Sequence, residues 1–373
     1  MAGELPERNQ SHEIAWPMPV LFEIFIIACG AIMKGLFIPG VTELGASSDS
    51  FPSGIVIPGA NVMTLPPGEW VDLSDIDLTS SALDYRVSFS CASNHAYYSA
   101  DGTIQFAAPD VWPLEYRNGV AVGRHEPEVQ ATNTYYTGGV GAVRAAISNS
   151  AERILNTPTF RLTESNLEGQ HYAACQQKVT AGKKYSFSGF IQKTEKSRGY
   201  AFIVLAHQLI VDAQILSVIN ISDASVSFTG ISDGLTTTAE FISPGVIRFS
   251  GTVIATKSVE SPSYIIYMGP STSITPGGTT YVGDSSYSLE FAALQLEDNP
   301  CSTSPIIASS AAATRSKAFA NIKNPSRIAT SVRLHYSDAT TKQIDFGGAE
   351  EVEIPASTTD WGKRYIQRIE YIR

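Results

Sequence analysis

Apolar and polar residues alternate along much of the second half of the chain. Tyr185, Phe187, Gly189 and Ile191 interleave with Ser186, Ser188 and Phe190, a two-residue period that sends successive side chains to opposite faces of a strand. The same pattern predicts strands from Thr159 to Leu162, Lys184 to Gln192, Tyr200 to Ala206, Ala224 to Thr229, Val246 to Ala255, Tyr264 to Gly269 and Ser288 to Leu296. Roughly eight strands in one block predict a β-sandwich over 135–306. Two stretches, Ala142 to Leu155 and Leu205 to Ile221, fit helical spacing as well as strand spacing, and periodicity does not choose between them.

The flanks read differently. Residues 51–134 carry short apolar bursts broken by Pro58-Gly59, Pro66-Pro67-Gly68, Asp101-Gly102 and Asn118-Gly119, the punctuation of hairpins and irregular loops. Residues 307–325 are rich in Ser, Ala and Thr and read as a linker. Residues 326–373 hold four candidate strands, Thr330 to Tyr336, Gln343 to Phe346, Glu351 to Ile354 and Tyr365 to Ile372, which predict a small C-terminal β-unit. Residues 1–50 form a polar arm and then the most apolar stretch of the chain, Met18 to Met33, with Phe22, Ile24, Phe25, Ile26 and Ile27 at its centre. That stretch falls short of the about 20 apolar residues a membrane span needs and contains Glu23. Glu4, Glu7 and Glu13 against Arg8 do not make the positive start of a secretory signal. We therefore expect an attachment segment without stable membrane insertion.

Composition sharpens this outline. Gly, Ser, Thr, Tyr and Val are favoured over the Glu, Lys, Leu and Ala runs of long helices, which points to an all-β protein. A formal charge of −10 repels phosphates and argues against nucleic acid as a partner. Cys29, Cys91, Cys175 and Cys301 are far apart and form no CxxC pair, so they read as buried small hydrophobes.

No catalytic or cofactor motif emerges. The chain lacks a Gly-x-Ser-x-Gly elbow, and Gly138-Gly139-Val140-Gly141 and Pro276-Gly277-Gly278 lack the Lys-Ser/Thr of a phosphate loop. Asp72, Asp75 and Asp77 could place oxygen ligands around a hard cation, but without the glycine and distal Glu of a calcium loop they read as a solvated turn. We expect neither an enzyme nor a bound metal or cofactor. Aromatic residues in loop-like contexts are the better candidates for binding, since a flat ring covers the apolar face of a sugar or anchors a protein interface. Tyr135 and Tyr136 lead, followed by Trp112 and Tyr116; Tyr97, Tyr98, Tyr264, Tyr267, Tyr281 and Tyr287 belong to the same set.

A string of segments then carries a resemblance. Tyr98-Ser99-Ala100-Asp101-Gly102-Thr103-Ile104-Gln105, Ala107-Ala108-Pro109, Glu115-Tyr116, Glu126-Pro127 and Ala131-Thr132-Asn133 are followed by Phe160-Arg161-Leu162, His171-Tyr172 and Val179 to Lys183. Leu294 to Glu297, Thr303 to Ile306 and Thr314-Arg315 continue the order, and His335 to Asp338, Trp361, Arg364 to Ile366 and Ile369-Glu370 close it. In this order they resemble tail-fibre and minor tail proteins of tailed bacteriophages that carry a jelly roll similar to carbohydrate-binding modules. The resemblance implies a jelly-roll β-sandwich preceded by an irregular β-rich attachment region and followed by a small C-terminal β-unit. It also implies a virion protein of the tail, assembled in the host cytoplasm, whose partners are other tail or baseplate proteins and a host-surface receptor, be it glycan, pilus or outer-membrane protein. Repeated weak sites gain avidity, so a homotrimer is expected. A purely structural adaptor and a polysaccharide-degrading tailspike are the alternatives.

Overall fold

The computed structural model describes residues 54–55, 63–64 and 71–373, apart from 136–138, 177, 207–214, 230–234, 259, 261–262 and 271–279. The expected attachment segment around Phe22, Ile24, Phe25, Ile26 and Ile27, and Tyr136 with it, lie outside the described residues. Gly54–Ile55 and Met63–Thr64 pair as a short antiparallel ladder.

The protein is all-β, and its centre is a jelly-roll-type sandwich of two six-stranded sheets. In the first, Val140–Val143, His171–Gln176, Ser263–Gly269, Tyr200–Ala206, Ile215–Asn220 and Val226–Thr229 lie side by side in that order. In the second, the order is Ala145–Asn149, Thr159–Glu164, Ser288–Glu297, Lys184–Lys193, Val246–Ile254 and Thr236–Ser243. The predicted alternation is what fills the space between them: Tyr185, Phe187 and Ile191 meet Ile247, Phe249 and Val253 on the inner face, against Ala201, Ile203, Ile266 and Met268 of the opposite sheet. At Gly251 a side chain would collide with the Phe187 ring, so the absence of a Cβ there sets how closely the strands fill the core.

The stretches that fitted a helix hold strands. Val140–Val143 and Ala145–Asn149 occupy the first, and Ile215–Asn220 most of the described part of the second. Val140 and Ala142 alternate with Gly141 and Val143 across an edge pairing to Ala173 and Tyr172, so a run that also satisfies helical spacing is drawn into the sheet by its neighbours.

The flanks are not the separate pieces that the local pattern suggests. The expected linker 307–325 carries the strands Ala313–Arg315 and Ala318–Lys323. The first pairs with Ala131–Asn133, and the second lies between Val87–Cys91 and Glu351–Glu353. Another sheet joins Thr341–Asp345, Ser331–Tyr336, Ile366–Ile372 and Ile76–Asp77 in that order. Residues before and after the sandwich thus share one core, in which Ile76, Val87 and Trp112 pack with Ile322, Val332, Leu334 and Ile369. Ala308, Ala318 and Ala320 of this segment are buried, and composition alone does not separate a strand-bearing stretch of small residues from a flexible connector.

The sandwich sits on this body by the outer face of its second sheet, where Phe190, Val246 and Ala292 pack with Ala96, Tyr98, Ile104 and Trp361 and the remaining contacts are polar. Ser186 Oγ donates to the Cys301 carbonyl at 3.0 Å and Ser250 Oγ to Asp360 at 2.8 Å. Gln295 accepts from the Ile306 amide at 2.7 Å, and Glu297 from the Thr303 amide at 3.0 Å. These side chains are buried yet hydrogen-bonded, which is how a polar sheet face is accommodated in an interior.

Candidate functional site

The described bonds to the body leave from the second sheet and its loops, and the outer face of the first sheet has a different character. Cross-strand register aligns Val143, Tyr172, Tyr267, Phe202, Val218 and Ser227 in one row perpendicular to the strands. Their alternate neighbours, Ala173, Ile266, Ala201 and Ile219, point into the sandwich core, so the row lies on the outer face. Phe202, Val218 and Tyr267 form a cluster of their own, with Tyr172, Ala174 and Tyr200 packed around it. The rings of Tyr172 and Tyr267 stand 4.8 Å apart at 53°, and those of Tyr200 and Phe202 6.3 Å apart at 33°. Tyr267 and Phe202 are buried, whereas Tyr172 and Tyr200 are half-buried and form the accessible part of the row. Burial, with Tyr172 adding repulsion, pushes the Tyr267 hydroxyl up to about 12. It therefore stays protonated at physiological pH and can act as donor and acceptor.

Gly269 is the backbone half of this arrangement: a Cβ there would overlap the Phe202 ring, which lies across the glycine. One end of the face is braced by a buried carboxylate. Glu164 receives Arg198 in a two-pronged pair at 2.9 and 2.8 Å, the Tyr281 hydroxyl at 2.6 Å and the Asp284 amide at 2.9 Å. Burial pulls its pKa up, but Arg198 and the hydrogen bonds outweigh it and hold the carboxyl below its ordinary value. Tyr281 in turn donates to the Met268 carbonyl at 3.1 Å, next to Tyr267. The face offers ring surfaces, hydroxyls and, at the row positions, no carboxylate pair.

The aromatic residues favoured from the sequence lie elsewhere. Tyr135, read as an exposed platform, is 2% exposed and part of the sandwich core. Trp112 is 5% exposed, stacks on Phe89 at 5.3 Å and donates its indole N–H to the His125 carbonyl at 2.8 Å. Burial removes both from any sugar-stacking role. Tyr116 is half-buried in the hairpin Glu115–Arg117/Val120–Gly123, remote in the fold from the aromatic row. Of the wider set, only Tyr267 belongs to the row. Turn-rich context pointed away from Tyr172, Tyr200 and Phe202, because they sit inside strands; the available signal was aromatic residues at alternate positions facing the side opposite the Ala and Ile core positions.

The acidic cluster is used locally. Asp72 accepts the Ser74 amide at 2.9 Å, Asp77 the Thr79 amide at 2.8 Å, and Asp75 pairs with Arg368. Among the described residues no group of three or more His, Cys, Asp or Glu side chains is arranged to hold a metal ion. Cys91 and Cys301 are buried free thiols, and Cys175 is buried in the sandwich core. No helix among the described residues is long and apolar enough to cross a membrane.

The fold and this face together define an all-β protein with an aromatic sandwich surface. No protein-family model matches the chain, and no curated protein does. Among solved structures it is similar to the CBM22-1 and GH10 modules of the Clostridium thermocellum endo-1,4-β-D-xylanase 10B complexed with xylohexaose, at 13% identity and a TM-score of 0.27 over 47% of this chain and 29% of that one. A carbohydrate-binding module of the β-sandwich superfamily, described for promiscuous specificity, gives 11% identity and a TM-score of 0.17 over 51% of this chain and 85% of that one. The chain thus spans less than a third of the length of the xylanase structure. At such TM-scores the similarity is weak and places no residue; the site stands on its own geometry.

Proposed function

We propose that this protein is a non-catalytic glycan-binding component of a bacteriophage tail, anchored in the particle and presenting its sandwich to the host surface. The observation that carries the glycan reading is the row Tyr172, Tyr267 and Phe202, with Tyr200 beside it, on the sheet opposite the one seated on the body. Ring faces flanked by hydroxyls suit the apolar face and the hydroxyl rim of a sugar ring. The tail assignment rests on the ordered string of segments from Val87 onward and brings with it other tail proteins, a trimeric assembly and a virion location.

The test is adsorption of the purified chain to host envelope polysaccharide, with Tyr172→Ala and Tyr200→Ala as variants. Retained binding in both variants overturns the face as the site. Release of soluble oligosaccharide by the native chain overturns the non-catalytic part. A second reading, a structural adaptor that touches only particle proteins, is favoured by the burial of Tyr267 and Phe202. It gains support if the chain binds neighbouring tail proteins but neither host cells nor their polysaccharide.

A further inference from the structure

Inside the body, beside the Trp361 and Ala96 that pack against the sandwich, lies a cavity of about 20 Å³ bordered by Phe89, Trp112 and Trp361 and by an unusual density of titratable groups. The cavity has room for roughly one water molecule, since one such molecule occupies about 10–15 Å³ on this measure. The charged and titratable groups that face it are Glu115, Glu126, Glu128, His95, His125, Arg315 and the Cys91 thiol. Their pairings are unequal. Glu128 is taken by Arg315 at 2.7 Å and by Ser304, through its amide at 2.6 Å and its hydroxyl at 2.7 Å. Glu126 is taken by Arg364 at 2.9 Å and the Tyr336 hydroxyl at 2.7 Å. Glu115 accepts the Tyr98 amide at 2.8 Å and the Trp361 indole N–H at 3.2 Å. His125 uses Nδ1 on the Glu126 carbonyl at 2.8 Å. His95 is 8% exposed, and neither of its ring nitrogens has a hydrogen-bond partner.

We propose that His95 makes this joint an acid-sensitive latch: protonation of its imidazole places a cation in the chamber and loosens the seat formed by the His95–Tyr98 strand, Trp361 and the sandwich. Counter-charge is already taken: Glu126 and Glu128 are committed to Arg364 and Arg315, and Arg315 itself faces the cavity. Glu115 offers no charge either, because burial keeps its carboxyl protonated near neutral pH. A cation at 95 is therefore unpaired and, at 8% exposure, poorly hydrated, a cost relieved by opening. Burial accordingly lowers the His95 pKa, with Glu128 and the Ser93 backbone opposing and Arg315 and His125 adding to the effect. The seat that would open is defined: Trp361 stacks on Tyr98 at 4.5 Å and lies under the Arg248 guanidinium of the sandwich at 4.7 Å.

Two measurements on the full chain test the latch. Thermal midpoints of the native protein and of His95→Gln are compared from pH 7.5 to 5.0. The variant is expected to gain on the native protein as pH falls below about 6.5, by a few degrees at pH 5.0. Exchange of the Tyr98 amide, corrected for the intrinsic pH effect, should lose about tenfold protection in the native chain over the same interval and much less in the variant. Parallel curves for native and His95→Gln overturn the proposal. If the variant does not fold, titration of the His95 imidazole by NMR in the native chain decides: a midpoint below that of an ordinary histidine supports the latch, and one at or above it overturns it.

Discussion

Phe202 lies across Gly269, its ring occupying the place where any other residue would put a Cβ. The two are on neighbouring strands two residues out of register, since Phe202 pairs with Tyr267 and Tyr200 with Gly269. Replacing Gly269 by Ala should force the ring out of the row, at a cost of about 1–3 kcal/mol in urea unfolding. It should also weaken adsorption to host polysaccharide if the row binds glycan. Unchanged stability would mean that the ring relaxes without loss.

Tyr172 and Tyr200 are the accessible members of the row, so their removal should separate binding from folding. Each Tyr→Ala exchange is expected to shift the unfolding midpoint little while reducing polysaccharide binding at least severalfold. Adsorption assays paired with thermal melts check this.

Glu115 gives the joint a second pH dependence of opposite sign to that of His95. Burial raises its pKa from 4.5 to about 8, against the opposing bonds from the Tyr98 amide and the Trp361 indole. Between those values the folded protein holds a proton that the unfolded chain releases. The contribution to stability is complete below pH 4.5 and is lost as pH rises to about 8. Glu115→Gln, which mimics the protonated acid, should therefore gain on the native protein as pH rises through this window. Thermal midpoints at pH 5 and pH 8 measure the difference, and a constant offset would contradict it.

Arg198 and Glu164 form a pair in which the carboxylate is fully buried and the guanidinium largely so. Arg198→Ala leaves that charge without its partner and should cost about 3–5 kcal/mol. Arg198→Ala combined with Glu164→Gln should recover part of the loss. Urea unfolding of the single and double variants reads the coupling.

Asp360 fastens the body to the sandwich, accepting Ser250 Oγ at 2.8 Å with one oxygen and the Ser302 amide at 2.7 Å with the other. Asp360→Ala strands both donors and should destabilise by about 1–3 kcal/mol, whereas Asp360→Asn should retain the contact to one of them. Chemical denaturation distinguishes the two.

The strands of the sandwich were legible because a half-buried strand writes its two faces into alternate residues. Tyr200–Ala206 falls where the pattern puts it, and Lys184–Lys193 extends it by one residue. What the pattern does not carry is partnership. Nothing local in Val87–Cys91 indicates a neighbour at Ala318–Lys323, since pairing is chosen by the whole surface each strand must cover. The same blindness misdirected the search for ligand-binding rings. Tyr135 follows a turn-rich segment yet packs inward, because the Thr134 amide bonds to the Leu296 carbonyl and seats the chain along the second sheet. Tyr172 and Phe202 look like ordinary strand residues until register sets them in one row.

The interleaving of the body's two halves bears on the order of events during synthesis. Ile366–Ile372 lies between Ser331–Tyr336 and Ile76–Asp77, so this sheet stays open until residue 372 has left the ribosome. The sandwich, whose strands end at Glu297, has all of its own pairings by then. Its early completion would hold residues 71–133 near the point where the late strands emerge, shortening the loop that the last strand must close.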